Sequence, residues 1–439
     1  MDFTDYRQGI RRQSSAFFQY ATVPAFTSGI TTYTGTRTLE INVAYARLKD
    51  GVIHRGVQYA NNTVASRGGF MAENFVAESY NLDAVLKNIK IPPATVLGET
   101  GRASADVVYN GGKVSLKFYV NAESSGKAQL NLEYGDQDRV IPADQLSEAK
   151  EIVNQMAHKN ELKGRTDVAQ QQRNVANKLT DRIRDENGIE STPLTKQQDL
   201  DMAEAIQKDN KGNITVDETK IEQVMEETGI SGRVRTTKLR NEFTGLGMAV
   251  AIGLGMGITL SFVSRLARVG LDSKQIGDVL FDSLVGGTES GMIAAATYVT
   301  GRGTTYLMES AGLNLMSSAG YMVNFATIGI LSTAIVCVYQ FTKSKLGGAS
   351  TDEALSLTGK TVASSTAMLA VSLAAQGIWG GPAGIIVSTG VGVVFLLADT
   401  GKTVYARKLE ARLREYSTEE YKNGIDSKKI FYTNNLSEF

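Results

Sequence analysis

Hydrophobic positions along the chain change their spacing several times, and each change predicts a different kind of element. Near the N-terminus Thr38-Leu-Glu-Ile-Asn-Val-Ala-Tyr45 alternates apolar and polar residues, a period of two that predicts a strand. Gly68-Gly69 precedes an amphipathic helical stretch from Phe70 to about Leu86, with Phe70, Phe75, Val76 and Leu82 on its apolar side. Beyond Pro92-Pro93, the β-rich runs Ala105–Tyr109 and Val114–Val120 flank Asn110-Gly111-Gly112, and Asn-Gly between two such runs is a strong hairpin signal. Alternation in the second run places Val114, Leu116, Phe118 and Val120 on one face, with Ser115, Lys117 and Tyr119 on the other. From Pro142 to about Arg240 the composition turns charged. Helical stretches are expected over Asp144–His158 and Asp167–Asp185, Thr195-Lys-Gln-Gln198 fits a capping box before a helix to Ile206, and Asp209–Ile214 reads as a turn.

The C-terminal half is patterned differently. Phe243–Ser264, Ser310–Thr342 and Thr361–Ala398 contain no charged residue, and each run is long enough to cross a bilayer. The last is interrupted by Gly377-Ile-Trp-Gly-Gly-Pro-Ala-Gly384, which predicts a helical hairpin. Val279–Val299 carries Asp282 and Glu289 and is expected to pack on other helices rather than face lipid. Gly253 and Gly257, Gly377 and Gly381, and Gly380 and Gly384 are each four apart, so each pair shares a helix face on which another helix can approach closely. The expectation is membrane association, with lipid and a second copy of the chain as partners of these helices. A soluble bundle whose Gly- and Ala-rich helices are buried on every side is the alternative.

Charge and cysteine content narrow the chemistry. With 46 basic and 46 acidic side chains, the zero net charge excludes an all-over polycation while allowing a local basic groove. A single cysteine, Cys337, excludes intramolecular disulfides and thiolate clusters, and two histidines leave little for a zinc site. Cys337 sits in an apolar stretch and reads as a small hydrophobe, Trp379 as a packing residue, and His158 as the end of a polar helix. His54, in Gly51-Val-Ile-His-Arg-Gly56, could touch a phosphate, but a histidine beside a turn is more often structural. The N-terminus lacks the basic start and apolar run of a secretory signal, so synthesis in a reducing cytoplasm is expected. Gly253-x-Gly-x-Gly257 has no preceding strand, Gly401-Lys-Thr403 lacks the upstream glycine of a phosphate loop, and no nucleophile elbow is present.

One constellation carries chemistry. Glu73 lies on the amphipathic helix, Asp106 on the first hairpin run and Lys117 on the second, so the three can converge at one end of a sheet. Two carboxylates and a lysine suit metal-assisted phosphodiester hydrolysis: the carboxylates hold Mg²⁺ (or Mn²⁺), and the lysine orients water and neutralises charge. At residues 60–135 the sequence resembles the restriction-endonuclease-like superfamily, the PD-(D/E)xK nucleases. Asp106 matches the family Asp and Lys117 the family Lys, while Ser115 stands where the second acid falls. The resemblance implies that this acid has moved to the helix, as Glu73 or, second, Glu78. Gln129 and Tyr134 are similar to a Gln and a Tyr that some members place after the hairpin.

The whole chain also looks like bacterial proteins with a Gly-Phe-x-Ala-Glu helix, an Asp hairpin with Ser-Leu-Lys and a Gly-rich apolar half. That similarity implies a bacterial or mobile-element origin.

The expected architecture is an α+β, restriction-endonuclease-like domain (1–142), a charged helical connector (143–240), an all-α, Gly-rich, membrane-associated domain (241–405) and a polar tail (406–439). The expected function is a Mg²⁺-dependent nuclease at a bacterial inner membrane, acting in defence or as a toxin. Its N-terminal domain would be cytoplasmic, and DNA is favoured over RNA as ligand. The alternative is a non-catalytic nuclease-like binding domain fused to a pore or scaffold of Gly-rich helices, and Ser115 favours it.

Overall fold

The computed structural model describes residues 3–98, 104–269 and 276–379, together with Val387. It is mostly helical, with a small mixed five-stranded sheet in the N-terminal half and two long apolar helices in the C-terminal half. The chain divides into two compact units. One is Arg37–Asn241, and the other combines Met1–Thr36 with Glu242–Phe439.

In the unit of residues 37–241, the segment expected as a strand is helical and belongs to α1 (Phe3–Gln58). Ile41, Leu48 and Val52 are fully buried with Ala44 and Tyr45 packed beside them, whereas Val43 is exposed. Steps of three and four over this longer window are a helix period, and they override the short alternation at Thr38–Tyr45. Helix α2 (Val64–Lys87) contains the helix expected from Phe70, but it begins at Val64, so Gly68 and Gly69 lie inside it rather than before it. Thr63 caps its start by accepting from the Ser66 N–H, and Asn88 ends it in the left-handed region at φ 58°. Met71, Phe75, Val76, Tyr80 and Leu82 are buried along it. α1 and α2 approach closely at Gly56, where a Cβ would stand 2.9 Å from Met71 Sδ. Glycine inside a helix costs about 0.5–1 kcal/mol, and here that cost allows the approach.

The hairpin forms where the sequence places it. β2 (Val107–Tyr109) pairs antiparallel with β3 (Gly112–Leu116), Tyr109 opposite Gly112, so Asn110-Gly111 is the turn. The Tyr109 ring covers Gly111, where a Cβ would lie 2.5 Å from ring carbon. β1 (Thr95–Val96) flanks β2. The chain then runs through α3 (Ala122–Ala128), β4 (Asp138–Val140), α4 (Leu146–Leu162), α5 (Thr166–Lys178) and β5 (Leu179–Thr180). The sheet order is β1-β2-β3-β4-β5; β2 is antiparallel to its neighbours, while β3, β4 and β5 are parallel.

Val140 joins the larger core cluster with α2, and its neighbour Ile141 joins a second cluster with α4 and α5, so both sheet faces are covered. The segment expected as a connector therefore belongs to this unit, supplying β5 and the helices on one sheet face. Val114, Leu116 and Phe118 are buried as the alternation predicts, but Val120 is 73% exposed because β3 ends at Leu116. The capping box is present at the start of α6 (Lys196–Glu204), with the Thr195 and Gln198 contacts both made. β6 (Ile206–Lys208) and β7 (Ile214–Val216) form a hairpin around the expected turn, followed by α7 (Glu218–Glu227) and α8 (Ile230–Val269).

The helical unit contains α9 (Ile276–Ser310), α10 (Ser318–Leu346) and α11 (Thr351–Trp379), with α10 packed against both others. α10 and α11 are long and apolar enough to cross a membrane; the 29 residues of α10 extend about 43 Å. Their interior is mixed, with Phe325, Ile328, Val336, Met368 and Leu369 buried there beside polar residues. Asn324, Ser332 and Gln340 of α10 and Thr361, Ser365, Ser372 and Gln376 of α11 are buried, whereas Val323, Ile330 and Val338 of α10 are exposed. Thr361 donates to Gln340, and the Tyr321 hydroxyl donates to Gln376 at 3.0 Å. On α9, Glu289 pairs with Lys343 of α10 at 2.5 Å, in keeping with a helix packed on its neighbours. Gly253 abuts α9, where a Cβ would meet the Ser290 carbonyl at 2.7 Å. Cys337 is half-buried. The second limb of the hairpin expected at 377–384, with Gly380, Gly381 and Gly384, and the tail 406–439 lie outside the described residues.

Candidate active site

Asp106 immediately precedes β2 and Lys117 immediately follows β3, so antiparallel pairing brings them together. Lys117 Nζ donates to Asp106 Oδ2 at 3.2 Å and to the Leu116 carbonyl at 3.0 Å, while the Leu116 N–H donates to the same Oδ2 at 2.6 Å. Glu73 arrives from α2, and Arg55 of α1 places Nη2 3.3 Å from its Oε2. The side chains are 14% (Arg55), 15% (Glu73), 17% (Asp106) and 18% (Lys117) exposed, shielded from bulk water yet open to a ligand.

Burial pushes the Glu73 carboxyl up to about 7, and the nearby Asp106 charge adds to the rise; Arg55 and Lys117 offset it only in part. Burial opposes the charge of Lys117, but the Asp106 carboxylate and Tyr134 outweigh it and hold the ammonium above its ordinary value. Lys117 is therefore a cation at neutral pH. It can orient an oxygen or neutralise charge there, but it cannot accept a proton.

Both residues noted after the hairpin lie beside this group. Gln129 Nε2 donates to the carbonyls of Ser115 at 2.9 Å and Val140 at 3.1 Å, tying β3 to β4. The Tyr134 ring lies beneath Lys117 Nζ, 5.2 Å from the centroid, and beneath the Arg139 guanidinium at 5.5 Å. Ser115 is fully buried, and its hydroxyl has no partner among the described residues. The position that would hold an acid is thus a neutral group inside the sheet.

Glu78 is not brought to this group. Five residues beyond Glu73, it lies about 140° round the helix, where it accepts from Asn81 at 3.3 Å. His54 is exposed beside Arg55, and His158 is exposed on α4, 3.9 Å from Glu161. The spacing Gly212-x5-Glu218 is that of a calcium loop, but Gln207 and Lys211 occupy places that supply carboxylates in such loops. Asp209 there already accepts from the N–H groups of Lys211 and Asn213.

A magnesium ion needs few protein ligands, commonly one or two carboxylates with the remaining positions kept by water. Glu73 and Asp106 are the carboxylates that could supply them, and a cation between the two would offset the Asp106 repulsion that adds to the effect of burial on Glu73. No cluster of three His, Cys, Asp or Glu side chains suited to a metal is found among the described residues.

Arg55 is the member of the group that the sequence pattern missed. Its signal was available in the pairing of Arg55 with Tyr59 four residues on, which become helical neighbours once α1 is read as a helix.

Comparison of the chain with protein-family models, with curated proteins and with solved structures finds no match in any of the three.

Proposed function

We propose that residues 37–241 form a Mg²⁺-dependent phosphodiesterase, a nuclease of restriction-endonuclease-like character, held at a membrane by the helical unit. The observation that carries this reading is the Asp106–Lys117 contact at the open end of the β2–β3 hairpin, with Glu73 near enough to feel both charges. Glu73 and Asp106 would hold the divalent cation, which when bound supplies an activated water and neutralises charge on the scissile phosphate. Lys117, a fixed ammonium, donates to a phosphate or water oxygen and balances charge as the bond to the leaving oxygen breaks. The Asp106 contact and the Tyr134 ring hold it in place. DNA is the preferred substrate class.

The test uses the full chain in detergent with plasmid, single-stranded DNA and RNA, in Mg²⁺, Mn²⁺ or EDTA. Metal-dependent cleavage is expected, falling by a factor on the order of 10² or more in Asp106→Ala and in Lys117→Ala. Unchanged cleavage in both variants overturns the assignment.

A second reading is favoured by Ser115. Its buried hydroxyl replaces an acid, which suits a non-catalytic nucleic-acid-binding domain whose effector is the helical unit, acting as a pore or scaffold. Absence of cleavage on every substrate, together with dye release from liposomes by the full chain, would favour it.

A further inference from the structure

Arg55 has more hydrogen-bonding capacity than the fold uses. Its guanidinium carries five N–H donors. One contacts Glu73 at 3.3 Å, one contacts Gln58 Oε1 at 3.1 Å, and the buried Nε–H has no partner among the described residues. A buried donor without an acceptor costs roughly 1–3 kcal/mol, a cost that a ligand oxygen would remove. The group is also held in orientation. Tyr59 and Phe70 stack with centroids 3.8 Å apart, and Arg55 Cζ lies 5.1 Å from the Tyr59 centroid and 6.0 Å from that of Phe70. Packing on those rings limits rotation of the guanidinium and lowers the entropy lost when it binds.

Its acidic partner among the described residues is weakly engaged. The Glu73 contact is a single long bond of 3.3 Å. A cation on Glu73 and Asp106 would compete for that carboxylate and release Nη2. Arg55 on Glu73 and Lys117 on Asp106 place one cation beside each carboxylate of the pair.

We propose that Arg55 is the phosphate-binding residue of this site, donating through Nε and Nη2 to the non-bridging oxygens of one phosphodiester of a nucleic-acid strand. This rests on the reading of Glu73, Asp106 and Lys117 as a phosphodiester site. A planar guanidinium matches two phosphate oxygens with two parallel hydrogen bonds, and an ammonium does not.

The experiment measures binding of a fluorescein-labelled single-stranded oligonucleotide to the full chain in detergent with Ca²⁺, across a salt series, beside cleavage in Mg²⁺. Wild type, Arg55→Gln, Arg55→Lys and Asp106→Ala are compared, each with its melting temperature. Arg55→Gln is expected to bind about tenfold more weakly, with the slope of log K against log salt reduced by about 0.7, the value of one single-strand phosphate contact. Arg55→Lys should keep the slope and still lose affinity. Unchanged affinity and slope in Arg55→Gln overturns the proposal, as does a wild type that does not bind. If Arg55→Gln fails to fold, Arg55→Lys decides: wild-type affinity overturns the proposal, and weaker binding at an unchanged melting temperature supports it. Failure of the nuclease reading is visible separately. A wild type that never cleaves but whose salt slope falls in Arg55→Gln keeps Arg55 as a phosphate ligand without the chemistry.

Discussion

Glu73 and Asp199 are two carboxylates that the fold strains by burial. Burial raises Asp199 to about 6 even with Lys196 beside it, its Oδ2 2.5 Å from Nζ and its Oδ1 unpartnered among the described residues. A carboxyl raised in the folded state binds its proton more tightly there than in the unfolded chain. Its stabilising contribution is complete below the unfolded value near 4 and is lost as pH rises through the folded value. For Glu73 that window runs from about 4.5 to about 7. Glu73→Gln should therefore be more stable than wild type at pH 8, by on the order of 2 kcal/mol, and little different at pH 4. Thermal melts at the two pH values check this. Mg²⁺ should raise the melting temperature of wild type more at pH 8 than at pH 5, and leave Glu73→Gln unaffected.

At this scale the sequence was informative where polar residues sit on elements with strong local signals. Glu73, Asp106 and Lys117 flank an Asn-Gly turn and a regular amphipathic helix, and they are close together. Arg55 escaped notice because its partner Glu73 is 18 positions away on another helix, and its spacing to Tyr59 is legible only once α1 is read as a helix.

Among the elements, legibility followed length and turn chemistry. The helix over Phe70–Leu86, the hairpin and the capping box rest on interactions within a few residues, and all three are present, although the helix starts earlier, at Val64. The Thr38–Tyr45 reading failed because an eight-residue alternation was weighed without the helical spacing that runs on to Leu48 and Val52. β4 and β5, with three and two residues, are too short to show any period, and parallel pairing with β3 and with each other fixes them through contacts distant in sequence.

The hairpin turn offers the sharpest test of an element. Tyr109 covers Gly111, and its hydroxyl donates to Asp138 of β4, so the ring cannot move aside without loosening the sheet. Gly111→Ala is expected to cost about 1–3 kcal/mol by overpacking, measured as a lower melting temperature. It should also reduce any cleavage activity, because the same hairpin sets the Asp106–Lys117 distance. An unchanged melting temperature would mean that the ring accommodates the methyl group.

For the molecule as a whole, the sorting of residues in the helical unit is the feature that composition alone did not reveal. Uncharged length predicted helices that could cross a bilayer, but a water-soluble bundle buried on all sides would read the same. In the structure α10 buries Asn324, Ser332 and Gln340 alongside Phe325, Ile328 and Val336, and leaves Ile330 64% and Val338 67% exposed. Exposed apolar surface is unfavourable in water, whereas lipid tolerates it and lets interior Ser, Thr, Asn and Gln side chains hydrogen-bond between helices. Ile330 separates the two environments because a lysine there changes sign between them. On a water-exposed helix, Ile330→Lys should alter stability by no more than about 0.5 kcal/mol and improve solubility. In the middle of a span it should cost about 2.5–3.5 kcal/mol of insertion free energy. Leu346→Lys, at the helix end beside Lys343 and Lys345, is the matched control, since a lysine there reaches the interface in either case. The readout is the fraction of full-length chain that resists alkaline carbonate extraction from membranes. A membrane-embedded α10 requires wild type and Leu346→Lys to stay in the pellet while Ile330→Lys is depleted from it. Equal extraction of all three into the supernatant would make the exposed apolar face a surface for another helix, and a second copy of the chain would become its leading occupant.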